Sequence, residues 1–309
     1  MSINKEGNIY TLIFATVMVV VVGGLLAYVS TTLKPIQQEN VRNEKMQNIL
    51  QSIGLDEIKN VSRAEAGALF NDYITERIVL DYDGNKVGYK TNKDEIVPKD
   101  LEDAFNIKVR KYYNTLSGLK KQFKIGTKEE DKAGFRTAVM ENNITYPLFV
   151  CQKDGKTYYV TYCSGKGLWD DVWGYITFNE DGRTINGTVF DHKGETPGLG
   201  SKITEEKFNK DFLGKVITNS ETGDYRPIKV IKPGLDRKEY EVQGLSGATF
   251  TAVGIDEMMN RSLEVYNRYF EKLRNVEEVK VKIEEISDSI QSELDSLVNL
   301  TDTALVAIK

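Results

Sequence analysis

A chain of 309 residues, 40% hydrophobic, holds enough apolar material for one large or two ordinary domains. Its net charge of −5 leaves no electrostatic footprint for nucleic acid. The lone histidine, His192, and two cysteines outside any metal-type spacing exclude a multi-histidine metal site and a histidine relay, and no Gly-x-Ser-x-Gly elbow accompanies His192.

The first element is apolar. No charged side chain occurs from Gly7 to Leu33, and Ile9 to Val29 is almost wholly hydrophobic. That length crosses a bilayer, which needs about 20 residues. A cleavable signal peptide has a basic leader and a shorter core of about 7–15 residues. Here the leader holds only Lys5 beside Glu6, so a retained anchor is expected. Lys5 and the terminal amine on one side oppose Lys34, Arg42 and Lys45 on the other, which leaves the orientation undecided by the positive-inside rule.

Pro35 to Leu55 carries Ile36, Met46, Ile49, Leu50 and Ile53 on a polar background and predicts an amphipathic helix leading out of the membrane. Ala64 to Thr75 reads as a short helix. Arg77 to Lys90 reads as a hairpin turning at Asp83-Gly84. Leu101 to Phe123 is mixed and mainly helical. The charged run from Lys128 to Lys132 is either a domain boundary or a solvated loop inside one domain.

From Tyr146 the signal turns to strands. Leu148–Gln152 and Thr157–Cys163 flank Asp154-Gly155, and Val172–Phe178 and Thr184–Phe190 flank Asp181-Gly182. A two-residue first turn sets Cys151 opposite Tyr158 and Cys163 opposite Tyr146. The cysteines are then roughly 17 Å apart along the ladder. That is too far for a disulfide, so both read as free and structural. Val216-Ile217, Ile228–Ile231 and Tyr240–Val242 are further short strands.

Two glycine-rich loops interrupt this region, Ser164-Gly-Lys-Gly-Leu-Trp-Asp170 and His192-Lys-Gly-Glu-Thr-Pro-Gly-Leu-Gly200. Neither fits a Walker A motif or a Rossmann fingerprint. They read as hairpin connections or as the rim of a pocket for a flat aromatic ligand. A third stretch, Gly244-Leu-Ser-Gly-Ala-Thr-Phe-Thr251, precedes a 3.6-residue pattern through Ile255, Met258, Met259, Ser262, Tyr266, Tyr269, Phe270 and Leu273. Ser246 to Thr249 therefore sits at a helix N-terminus, as a hydroxyl cap or as a phosphate site.

With these motifs in order, the sequence resembles the C subunit of the bacterial sodium-translocating NADH:quinone reductase. The resemblance rests on Gly165-Lys-Gly-Leu-Trp169, His192-x-x-Glu-Thr-Pro-Gly-Leu-Gly200, Leu245-Ser-Gly-Ala-Thr249, and the anchor with Lys34-Pro-Ile-Gln37. It runs from about Tyr10 to about Phe270. It implies an α/β (α+β) protein: a transmembrane helix, then an extracytoplasmic FMN-binding domain of antiparallel sheet with helices. The implied cofactor is FMN, joined through its phosphate to Thr249 by a flavin transferase. Ser246, Gly247, Ala248, Leu168, Trp169, Glu195, Thr196, Gly198, Leu199 and Gly200 are the implied surroundings, with no metal. The implied role is one-electron transfer from NADH toward quinone, coupled to sodium export, within an inner-membrane complex of six subunits. The domain would then lie on the periplasmic side.

The RNF-type G subunit shares the Ser/Thr-Gly-Ala-Thr stretch, and a cofactor-free, membrane-anchored scaffold module is the alternative from another class. The expected organisation is an anchor at 1–33, a membrane-proximal segment at 34–130, an FMN-binding domain at 131–274 and a helical extension at 275–309. Two features depart from the family pattern. Gln243 stands where the transferase signature carries an acid, and the chain continues past the long helix. That continuation, with Val279, Ile283, Ile286, Ile290, Leu294 and Leu297 at helical spacing, reads as a solvated helix or as a docking helix.

Overall fold

The computed structural model describes residues 8–55, 65–123 and 129–307. Lys5, Glu6, Ala64 and Lys128 lie outside the described residues.

The apolar N-terminal stretch and the segment expected to follow it as a separate helix form one element, α1 (Asn8–Ser52), which passes through Pro35 without ending. Its apolar half is exposed along its length, as in Leu12, Val19 and Leu26. The other half buries Met46, Ile49 and Leu50, with Ile53 just beyond. Ile36 is exposed, against the amphipathic expectation, because the domain begins only further along the stem.

α2 (Ala66–Tyr73) leads into β1 (Ile74–Leu80) and β2 (Lys86–Thr91). The hairpin turns at Gly84 as expected, where Asp81 accepts bonds from the Asp83 and Asn85 N–H groups. Two 3-10 turns, Ala104–Asn106 and Val109–Tyr112, precede α3 (Tyr113–Gln122). The charged run opens α4 (Glu129–Glu141), which buries Phe135 and Val139.

β3 (Tyr146–Lys153), β4 (Lys156–Lys166), β5 (Asp171–Phe178) and β6 (Ile185–His192) complete an antiparallel sheet of order β2-β1-β3-β4-β5-β6. β1 therefore lies between β2 and β3, so strands from both sides of the charged run share one sheet and one core. The division drawn at residue 130 does not separate two cores. Asp154 and Gly155 both take positive φ, 51° and 73°, as a two-residue hairpin turn of matching twist requires. The register pairs Cys151 with Tyr158 as expected. Both cysteines are free and buried, and burial pushes each thiol up to about 12.

After β6 come a 3-10 turn (Gly200–Thr204), α5 (Glu206–Lys210), and a small parallel pair of β7 (Lys229–Ile231) and β8 (Glu241–Gln243). Val216 makes only an isolated bridge to Thr184 rather than the expected strand. The chain closes with α6 (Thr249–Ala307).

α1 and α6 clamp the sheet from opposite faces. Ser52 of α1 hydrogen-bonds Thr177 across 2.8 Å, and a Cβ on Gly187 would fall 2.2 Å from the Ser52 carbonyl oxygen. On the other face Phe270 of α6 packs on Tyr159 and Phe178 at 5.3 and 5.4 Å between ring centroids. Tyr266 donates from its hydroxyl to the Pro147 carbonyl at 2.8 Å. α6 starts against Gly165 and reaches Gly182 at Phe270, so it runs along β5. α1 runs the same way, from Glu44, whose carboxylate acts on Tyr175, to Ser52 beside Thr177. The N-terminus of α6 therefore lies at the end of the sheet from which the apolar half of α1 emerges.

Arg77 and Asp103 form a fully buried pair, 2.9 Å apart. The guanidinium also donates to the Thr91 and Asp94 carbonyls, which ties β1 to the connection after β2. Asp103→Ala leaves the guanidinium buried without its counter-charge and should destabilise the fold by about 3–5 kcal/mol, read as a shift in the urea midpoint with unchanged slope.

Candidate functional site

The site is built on the first turn of α6. Gly247 turns the chain with φ of +76°, and the Ala248 N–H donates to the Leu245 carbonyl at 3.2 Å. Thr249 is the first helical residue. The first N–H groups of any α-helix lack an intrahelical acceptor. Among the described residues neither Ser246 nor Thr249 makes a side-chain hydrogen bond, so the hydroxyl-cap alternative is not realised and both remain exposed. The helical repeat turns Thr249, Phe250 and Val253 outward, and Ala248, Thr251, Ala252 and Ile255 inward.

Thr251 is 1% exposed, and its hydroxyl donates to Glu195 Oε2 at 2.6 Å. Glu195 is itself 4% exposed. Its other oxygen accepts from the Trp169 N–H at 2.9 Å and the Asp170 N–H at 3.4 Å. One carboxylate thus joins both glycine-rich loops to the first turn of α6. Burial by itself would push the Glu195 carboxyl up. The bonds from Thr251, Trp169 and Asp170 outweigh it and hold the group below the usual range.

Glycines make this approach possible. A Cβ on Gly167 would fall 2.4 Å from Glu195 Oε1, and one on Gly200 2.4 Å from Oε2. A Cβ on Gly254 would fall 2.1 Å from the Lys166 carbonyl oxygen, so α6 lies directly on the end of β4. Leu199 packs over Gly247, where a Cβ would meet its Cδ2 at 2.9 Å.

The first loop closes through Gly167 N–H to the Asp170 carbonyl at 2.8 Å and leaves Leu168 and Trp169 exposed at its tip. Asp170 pairs with Lys193 at 2.8 Å, a second tie between the loops. The second loop turns on the Thr196 carbonyl, which accepts from the Leu199 and Ser201 N–H groups. Gly198, at φ of +75°, donates to Ser201 Oγ.

Leu168, Phe250 and Val253, with Tyr113 and Gly254, line an open cavity of about 310 Å³. A larger groove, about 1940 Å³, lies between the stem of α1 and the 92–114 connection, and it touches the site only at Lys166 and His192. Of the residues picked from sequence, Leu168, Glu195, Leu199, Gly200, Gly247, Ala248 and Thr249 come together around the α6 N-terminus. Trp169 enters through its backbone. Thr196 and Gly198 shape their own loop, and Ser246 faces solvent. Thr251, Phe250, Val253, Gly254 and Tyr113 were not picked from sequence. A glycine inside a helical pattern was the available signal for Gly254.

Glu195→Ala strands buried donors and should cost about 1–3 kcal/mol at neutral pH. A carboxyl with a lowered folded-state value stabilises above its ordinary range, near 4.3 for glutamate, and that contribution fades as the pH falls through the folded value. The gap between wild type and Glu195→Ala in urea unfolding should therefore be largest at pH 7 and shrink on acidification below that range.

The family described as FMN-binding domain matches residues 167–264, from the first loop into α6. The C subunit of the Na(+)-translocating NADH-quinone reductase of Pseudomonas aeruginosa is 28% identical over 275 residues, covering 83% of this chain and 92% of that protein. The crystal structure of the same subunit from Parabacteroides distasonis is 33% identical and superposes with a TM-score of 0.58, covering 77% of this chain and 96% of that one. Shewanella oneidensis NqrC, 22% identical with a TM-score of 0.51, shares the fold. The sheet clamped by two helices, the loops gathered at the start of α6 and these similarities agree: the chain belongs to the family of the C subunit of the Na(+)-translocating NADH-quinone reductase.

Proposed function

We propose that this chain carries FMN covalently, through a phosphodiester to Thr249, and relays electrons inside a sodium-translocating NADH–quinone reductase. The observation that carries this reading is the contrast between two threonines. Thr249 is exposed at the first position of α6, whereas the Thr251 hydroxyl is buried and committed to Glu195. Only the first can be reached by a modifying enzyme.

The residues present suit the group. Partnerless N–H groups and the positive end of the helix dipole favour a phosphate beside Thr249. Gly247 keeps that approach clear, and Leu168, Phe250 and Val253 offer apolar cover next to the cavity. When bound, FMN supplies the redox chemistry, and the protein supplies position and surroundings. Glu195 fixes the two loops against α6, so that whatever the loops contact is held at a set distance from Thr249. A threonine hydroxyl is a poor nucleophile unaided, which supports a dedicated flavin transferase as a maturation partner. Gln243, where the family pattern carries an acid, ends β8 just before this stretch, its N–H bonded to Asp211.

The apolar half of α1 is long enough to anchor the chain as a single-pass protein of the cytoplasmic membrane. Because α1 and α6 run in the same sense, Thr249 faces the anchored end of the domain. There it can meet the other subunits of the complex at the membrane surface. On this reading the domain lies on the periplasmic side.

Intact mass after expression beside a flavin transferase tests the attachment. Wild type and Thr251→Ala should gain the mass of one FMN, and Thr249→Ala should gain none; a flavin on Thr249→Ala would falsify the assignment. Sidedness is tested separately. Alkaline phosphatase fused at the C-terminus should be active, and an active cytoplasmic reporter at that position would overturn the periplasmic placement.

A further inference from the structure

Positive charge collects on one wall of the large groove between the stem of α1 and the 92–114 connection. The Lys45 ammonium lies 4.6 Å from the centroid of the Phe105 ring and donates to the Phe105 carbonyl at 2.5 Å. The Arg42 guanidinium lies 6.0 Å from the same ring. Lys108 is exposed, and its charge acts on Lys45. The one carboxylate that acts on Lys45 is Asp103, already held by Arg77 at 2.9 Å. Glu39, Glu44 and Glu95 line the groove too, but among the described residues no carboxylate lies within ion-pair distance of Arg42, Lys45 or Lys108. By contrast, Arg110 and Lys166 on the same groove are both taken by Asp171. Gln37, Gln38, Asn43 and Asn48 add side-chain amides from the stem.

We infer that Arg42, Lys45 and Lys108 bind the phosphate of an anionic phospholipid headgroup, of the phosphatidylglycerol type. The chemistry chooses a phosphate. A guanidinium fork beside two ammonium groups matches the oxygens of a phosphodiester. The stem amides can pair with the hydroxyls of a glycerol headgroup. A zwitterionic headgroup would bring a cation of its own against three others. The place chooses a lipid. The lining of the groove begins at Lys34, the first charged side chain after the apolar span. Headgroups occupy about 5–7 Å beyond the hydrocarbon on each side of a bilayer. Arg42 stands eight residues past Lys34, about 12 Å along the stem. Side chains lean toward the N-terminus of their helix, which here is the bilayer side, so Arg42 and Lys45 reach back toward that layer. Basic pockets beside a membrane span are suited to acidic headgroups in general. The lipid source rests on the anchorage proposed above. The cation cluster does not, and neither depends on the flavin or on which side of the membrane the domain lies.

Native mass spectrometry of the full chain in a neutral detergent reads bound lipid directly. Phosphatidylglycerol should be retained at a concentration on the order of tenfold lower than phosphatidylcholine. Arg42→Gln combined with Lys108→Gln removes two exposed charges and should abolish that preference with the domain's melting temperature unchanged. Lys108→Glu alone should weaken it. Lys156→Gln combined with Lys207→Gln, exposed but outside the lining of the groove, should keep it. Inorganic phosphate at the lipid's concentration should not displace the lipid. Equal retention of the two lipids by wild type, a preference that survives the Arg42 and Lys108 double variant, or displacement by inorganic phosphate would overturn the inference. The last of these outcomes would leave the cluster to a soluble anion. Flotation with phosphatidylcholine vesicles after a carbonate wash reports the anchorage by itself. Wild type and double variant should both float, so a chain that floats without preferring phosphatidylglycerol fails on the lipid site alone.

Discussion

Everything at the start of α6 depends on one buried carboxylate. Glu195 belongs to the second glycine-rich loop and accepts from the first loop and from α6, three segments far apart in sequence. An isolated carboxylate moved out of water costs several kcal/mol. Hydrogen bonds to a charged acceptor return about 1.5–3 kcal/mol each. The arrangement is favourable only while the donors converge, so the loops and the helix keep their mutual position or lose it together. The glycines at 167 and 200 are part of the same constraint, since any side chain there would occupy the carboxylate's place.

This constraint divides the first turn of α6 into two sides. The inner side is taken up by Thr251 and Glu195. The outer side presents Thr249 among exposed Phe250, Val253 and Leu168. A helix N-terminus can stabilise an anion on either side. Here the internal anion is supplied by the protein and serves architecture, which leaves the outward N–H groups for the proposed phosphate. The two threonines, separated by one residue, differ in burial, and the proposed attachment at Thr249 draws on that difference alone.

Much of this was legible in the sequence where the signal was local. Asp154-Gly155 and Asp83-Gly84 announced their hairpins because short loops with positive φ demand such residues. The period from Ile255 to Leu273 announced α6 and its buried face. Other features are products of pairing at a distance. β1 meets β3 across more than sixty intervening residues, and no charge run or composition shift records that. The Glu195–Thr251 bond likewise has no periodic trace; Glu195 entered through family likeness, and Thr251 was not picked. The join of the apolar span to the stem was hidden by Pro35. A proline removes one backbone donor and usually marks an end, yet here the helix continues through it.

That unbroken helix acts as a shaft. Between the last apolar residues of the span and Met46 the helix is continuous, and Pro35 is the one point where a backbone donor is missing. The azimuth of the proposed flavin site around the axis of the stem is therefore set by the number of residues in the stem. Each residue added or removed there rotates the domain by about 100° and shifts it by 1.5 Å along the axis. On the proposed anchorage, the phase of the stem decides which neighbour in the membrane the site addresses, which gives the exposed stretch from Lys34 to Val41 a reason to keep its length.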